Sequence, residues 1–208
     1  REPWKPDAAF FWCMNPPTQG GETTVCDGVE VVKNLPADVR AAFENRRLLY
    51  RQMASPDLLQ YWLGTTTPDD SVLANPPRGC PYKFARLNGG VMRYFTRPAL
   101  HRPMFTSELA WGNFLLFARG TGRKGFPAFD DAQPVPDALL TVVKDVSDRL
   151  SAPVQWRRND VIILDNTRFM HGRNRIIDAG ERRIATYFGY LKFATPDPEE
   201  VEGAPWRS

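Results

Sequence analysis

Two histidines occur in the 208 residues, and only one sits where chemistry could be assembled around it. His171 follows the run Asp160-Val161-Ile162-Ile163-Leu164-Asp165-Asn166-Thr167-Arg168-Phe169-Met170, so a buried apolar strand leads into Asp165-Asn166 and then presents an imidazole. That order puts a group able to bind a metal or move a proton at the mouth of a sheet, where barrel-type folds place their sites. Arg173, Arg175, Arg182 and Arg183 crowd the same stretch. A guanidinium fork matches a carboxylate bidentately, so the combination suits a small acid held beside the imidazole. On residue type alone a plainer reading stays open, a histidine hydrogen-bonded in a turn with arginines as a solvated rim. For Arg175 and Arg183 that plainer reading is adopted. His101, in His101-Arg102-Pro103, reads as a loop or helix-flanking residue. Arg93 and Arg97 could meet an anionic group but read as exposed cations and are left outside the site. Trp111, Trp156 and Phe169 read as core or wall aromatics that exclude water.

The elements that must position these groups are short, because nineteen prolines and fifteen glycines punctuate the chain. Ala8–Met14 is an aromatic strand stopped by Asn15-Pro16-Pro17, and Gly20-Gly21 turns into a second strand over residues 22–26. Leu35-Pro36-Ala37-Asp38 opens a helix whose stripe is Val39, Ala42, Phe43 and Leu49, with Arg40, Glu44 and Arg47 facing away. Ser55-Pro56-Asp57 starts another helix that Gly64 ends. Residues 65–82 read as a long loop, residues 91–96 as a strand, and Thr106-Ser107-Glu108 as the cap of a helix running to Gly120. The clearest helix is 136–150, with Leu139, Val143, Val146 and Leu150 on one stripe. The last third returns to β at 154–156, 161–165 and 183–192, before an acidic, proline-rich irregular tail. Strands, then helices, then strands is not the β-α alternation of a parallel sheet. The expectation is a mainly β protein, a double-stranded β-helix (jelly roll) with a helical insertion and loops over roughly 35–150, the whole forming one domain.

Composition narrows the partners. With 42% hydrophobic and 25% charged residues the chain can bury a core, which excludes disorder and low complexity. Lys+Arg 27 against Asp+Glu 24 leaves +3 with no basic block, so neither nucleic acid nor a membrane is an expected partner; only Arg157-Arg158 hints otherwise. Apolar runs such as residues 115–118 fall far short of the ~20 residues that cross a bilayer. Cys13, Cys26 and Cys80 are too few and scattered for a disulfide framework or zinc site and read as small buried or half-buried thiols, consistent with a cytoplasmic protein. The oligomeric state is not legible.

Three stretches together resemble a known family. Trp156-x-x-x-Asp160-Val-Ile-Ile-Leu-Asp165-Asn166, then His171-Gly172-Arg173, then Gly180-Glu181-Arg182-Arg183 is similar to the C-terminal signature of the taurine dioxygenase-like superfamily, relatives of clavaminate synthase. Phe10-Phe11-Trp12-Cys13-Met14-x-Pro-Pro-x-x-Gly20-Gly21-Glu22-Thr23 resembles the N-terminal strand and loop of the same enzymes. The resemblance implies an Fe(II)- and 2-oxoglutarate-dependent dioxygenase that uses O₂ to oxidise an unactivated C–H bond of a small amino acid-like or carboxylate substrate, most simply by hydroxylation, as in natural-product assembly. It implies His171 as the distal iron-binding histidine and Arg182 as the partner of the distal carboxylate of 2-oxoglutarate, with Thr23 adding a hydroxyl donor. Asp165-Asn166 would turn the chain so that His171 points inward, and Arg173 is a further candidate for a substrate or cosubstrate carboxylate. The family's other two ligands, a His-x-Asp/Glu pair, do not occur here, and His101-Arg102-Pro103 does not supply them. The chain starts Arg1-Glu2-Pro3, without Met, so the pair is expected upstream in a longer protein. Without it, the chain would be inactive or a metal-free carboxylate binder; with Gly or Ala replacing the carboxylate, the enzyme would be a halogenase.

Overall fold

Alternation in the opening aromatic run shapes the first sheet: Ala9, Phe11 and Cys13 are buried, whereas Trp12 between them is 44% exposed. The structure, a computed structural model, describes residues 3–123, 125–177 and 182–207. Its strands are β1 (Ala8–Asn15), β2 (Thr23–Asp27), β3 (Arg47–Met53), β4 (Lys83–Leu87), β5 (Gly90–Pro98), β6 (Ala128–Phe129), β7 (Ala152–Pro153), β8 (Val161–Asp165), β9 (Phe169–Arg173) and β10 (Arg183–Gly189). Its helices are α1 (Gly28–Lys33), α2 (Ala37–Phe43), α3 (Pro56–Leu63), α4 (Asp70–Ala74), α5 (Leu115–Gly120) and α6 (Asp137–Leu150).

Strand order β10-β1-β8 makes one antiparallel sheet and β7-β2-β9 a second. Phe11 lies opposite Thr186 and Ile162 in the first, and Val25 lies opposite His171 in the second. The two inner faces meet where the Phe11 and Phe188 rings contact His171. These paired sheets match the expected jelly roll. The Gly20-Gly21 turn that carries β1 into β2 needs glycine twice. Both residues have positive φ, and a Cβ would lie 2.4 Å from the Arg175 carbonyl oxygen at position 20 and 3.1 Å from the Arg182 Cδ at position 21.

The insertion differs from the expected helices and loops. It contains a four-stranded sheet of order β4-β5-β3-β6. The helix expected to carry Leu49 stops at Phe43, because Glu44 is extended and Asn45 has φ +61°; Leu49 lies on β3. The helix expected from Ser107 begins only at Leu115. Ahead of it His101 and Ala110 exchange backbone hydrogen bonds, and the Asn113 side chain accepts from the Leu115 amide. Residues 65–82 hold α4, capped by Asp69. On α6 the deepest residues are Leu140, Val143, Val146 and Ser147, with Leu139 and Leu150 partly buried. They pack in a core around Trp111, whose ring meets Phe43 edge-on at 4.9 Å. Residues 154–156 are not a strand, although the Val154 amide donates to the Thr23 carbonyl. Among the described residues no disulfide joins the three cysteines, and no helix is long and apolar enough to cross a membrane.

The tail after Pro196 is irregular apart from a 3-10 turn at Pro205–Arg207, but it is pinned at both ends. Arg97 holds Asp197 at 2.7 Å, Arg47 holds Glu199 at 2.7 Å, Arg207 pairs with Asp7 and Glu200, and Trp206 stacks on Trp4 at 5.9 Å. Burial pushes the Asp197 carboxyl up, but the hydrogen bond and charge of Arg97 outweigh it and hold the group below its usual value; Arg47 does the same for Glu199. A carboxyl lowered in the folded state contributes stability above its unfolded value, about 4, and loses it as pH falls through the folded value. The stability gap between wild type and Arg97→Met, measured by urea unfolding, should therefore be full at neutral pH and shrink below about pH 4. A gap that persists unchanged to pH 2 would contradict the ion-pair account.

Candidate active site

A cavity of about 1260 Å³ opens between the inner faces of the jelly-roll sheets and the insertion sheet, and Thr23, His171, Arg173 and Arg182 all line it. Period-two alternation explains the grouping. His171 and Arg173 share one face of β9, whereas Met170, the residue before His171, turns away and packs against the core behind. Thr23 stands directly across from Arg173 in the ladder. Gly172 is needed at this crossing, since a Cβ would lie 2.9 Å from the Thr24 hydroxyl. Arg182 enters immediately before β10, whose Ile184, Thr186 and Phe188 face the same cavity. Residues 180 and 181 of the motif lie outside the described residues.

The imidazole of His171 lies 5.1 Å from the Phe11 ring, edge-on, and 5.6 Å from the Phe188 ring. Burial, and secondarily the Lys5 ammonium, push its pKa below the usual histidine value, which favours the neutral ring that metals bind. Arg182 donates from Nε to the Gly21 carbonyl at 2.6 Å and pairs with no carboxylate among the described residues. Its pKa is lowered, first by burial and then by the neighbouring Arg173. Two guanidiniums facing one cavity without an acid between them form a receptor for an anion. Thr23, 3% exposed, accepts the Trp156 indole N–H on its hydroxyl oxygen at 3.0 Å. Its own hydroxyl hydrogen is thereby aimed elsewhere, available to a carboxylate.

The nearby acids are committed to structure. Asp27 caps α1 and takes a bidentate grip from Arg168, with contacts of 2.6 and 3.1 Å. Asp165 accepts from the Thr167 amide and hydroxyl and the Arg168 amide, closing the β8–β9 turn, while buried Asn166 donates to the Pro6 carbonyl at 2.7 Å. This is the turning role expected of the pair. Among the described residues no group of three or more His, Cys, Asp or Glu side chains could hold a metal. The residues present therefore fit a keto acid's carboxylate but supply one donor, His171, toward iron. Arg175 and Arg183 are exposed, in keeping with a solvated rim.

Among the other cavity residues are Lys5 and Gln52, which sequence reasoning did not single out, and Arg93 and His101, which it placed outside the site. Lys5 is buried, donates to the Gly112 carbonyl at 3.2 Å, and has its pKa lowered to about 8 by that burial. His101 donates from Nε2 to the Thr167 carbonyl at 2.6 Å, and burial holds it neutral with a pKa of about 3. Arg93, expected on the surface, is 8% exposed. The only local signal was its place in an alternating strand.

The sequence profile of the taurine catabolism dioxygenase TauD, TfdA family matches residues 2–187, and the chain belongs to that family. A clavaminate synthase-like protein of Arabidopsis thaliana is 24% identical over 200 residues, covering 87% of this chain and 60% of that protein. Among solved structures, a taurine dioxygenase from Burkholderia xenovorans superposes with a TM-score of 0.56 at 16% identity, over 96% of this chain and 59% of the other. PvcB, an Fe, alpha-ketoglutarate dependent oxygenase from an isonitrile synthetic pathway, gives 0.53 at 14% identity, over 93% and 55%. These likenesses show the fold. The chain spans roughly three fifths of the length of the proteins it matches.

Proposed function

We propose that this chain is the greater part of an Fe(II)/2-oxoglutarate-dependent oxygenase that oxidises an unactivated C–H bond, by hydroxylation, in a small amino acid-like or carboxylate substrate. The observation that carries the reading is the convergence of His171, Arg182 and Thr23 on one cavity, with Arg182 free of any acid among the described residues. Arg182 would grip the distal carboxylate of 2-oxoglutarate, Thr23 would donate a second hydrogen bond, and His171 would be one iron ligand; Arg173 would serve a second carboxylate oxygen or the substrate. When bound, iron with 2-oxoglutarate would activate O₂ for the oxidation, and the Phe11 and Phe188 rings would form the apolar side of the site beside His171. Three cysteines that form no disulfide among the described residues support a reducing, cytoplasmic setting.

The reading requires a His-x-Asp or His-x-Glu pair from residues other than these 208. The reading frame ahead of Arg1 should encode it within a short distance, and sequencing that region tests the proposal. A frame with Gly or Ala in place of the carboxylate would redirect the reading to a halogenase. A frame with no such pair would favour a second reading, a non-catalytic jelly roll that binds small carboxylates. That no three metal-ligating side chains cluster among the described residues is the observation on that reading's side.

A further inference from the structure

The cavity has a second cationic wall, on the insertion sheet. Gln52 pairs with Arg93, Tyr50 with Phe95 and Leu48 with Arg97 across β3 and β5, so Arg93, Phe95 and Arg97 share one face two residues apart. The two arginines on that face are treated oppositely. Arg97 is neutralised by Asp197 and Glu199. Arg93 is 8% exposed yet pairs with no carboxylate among the described residues; its guanidinium donates to the Gln52 side-chain carbonyl at 3.1 Å and lies 4.6 Å above the Tyr82 ring. A buried guanidinium satisfied by a neutral amide and an aromatic face keeps most of its charge for a visitor. Next to it the wall is aromatic: Tyr50 and Phe95 stack at 4.8 Å, and Phe126 meets Tyr50 edge-on at 6.0 Å.

We propose that Arg93, held in place by Gln52, is the anchor for a carboxylate carried on an apolar body, which makes the molecule that occupies this wall an apolar organic acid distinct from 2-oxoglutarate. Calling that acid the substrate rests on the oxygenase reading; its binding does not. Arg93 fixes the charged end, and the Tyr50–Phe95–Phe126 wall receives the apolar body. An acid of the size of 2-oxoglutarate gains little from that wall and is left to Arg182.

The test is a calorimetric titration of the 208-residue chain with 3-phenylpropionate and with uncharged 3-phenylpropionamide, in the absence of iron and keto acid. The acid should bind roughly thirtyfold or more tighter than the amide. Arg93→Met should erase that preference while leaving the amide's affinity unchanged. Because a buried arginine is being removed, Gln52→Glu provides a second route: it sets a carboxylate beside the guanidinium, satisfies it internally, and should erase the same preference with the fold intact. Equal affinity of acid and amide for wild type, or a preference that survives Gln52→Glu, overturns the proposal. So does a preference lost on Arg182→Ala and kept by both other variants, which would put the anion at the other guanidinium. With no metal or 2-oxoglutarate present, failure here leaves the oxygenase reading standing, and failure of that reading leaves this result unaffected.

Discussion

Replacing His171 by alanine is expected to abolish turnover in protein that carries the complete ligand set, while leaving the fold intact. The ring makes no hydrogen bond among the described residues and is open to the cavity, touching only the Phe11 and Phe188 rings, so its removal costs little packing. Groups that merely orient a metal's ligands typically cost about 10–100-fold in metal affinity or activity when removed, and loss of a ligand itself should exceed that. Metal content after dialysis, product formation and the melting temperature should be measured together. Turnover that survives in the variant would overturn the assignment of His171; loss of turnover with collapse of the fold would assign it a structural part instead.

Replacing Arg182 by alanine is expected to weaken 2-oxoglutarate by about 2–5 kcal/mol, roughly 30- to 5000-fold in Kd. Burial raises the value of the contact, because the keto acid's distal carboxylate leaves water to reach a guanidinium that no acid among the described residues neutralises. Gly21 sets the placement: its carbonyl takes the Arg182 Nε–H, and its missing Cβ makes room for the Arg182 stem. Arg182→Lys should recover only part of the affinity, since an ammonium keeps the charge and loses the fork. An unchanged Kd in Arg182→Ala would transfer the task to another guanidinium, with Arg173 the nearest in function.

What could be read from the sequence divides by the range of the interactions involved. β1, β8 and the stretch bearing His171 were legible because apolar alternation and turn residues are local signals. The insertion sheet was not. Residues 47–53 alternate only weakly, and Leu49 continued the helical stripe of Val39, Ala42 and Phe43, so a 3.6-residue period was read through a stretch that pairs as β3 with β5. Arg93 was misplaced for the same reason: its burial is decided by Gln52 and Tyr82 rather than by its neighbours in sequence. The tail was read as irregular, and most of it is, but its ion pairs to Arg47, Arg97 and Asp7 span the length of the chain, and no local pattern announces them. The residues that line one cavity, Thr23, His171, Arg173 and Arg182, were singled out through motif resemblance. What the structure adds is the reason for the motif: Gly-Gly admits Arg182, and Trp156 orients Thr23.

One measurement bears most directly on whether imidazole and guanidinium serve a single metal–keto acid complex. It is the titration of 2-oxoglutarate into the protein expressed with its upstream residues, with and without Fe(II). The account predicts tight binding that depends on the metal and disappears in both His171→Ala and Arg182→Ala. Binding of equal strength in the absence of metal, untouched by His171→Ala, would contradict it and leave a carboxylate-binding jelly roll in its place.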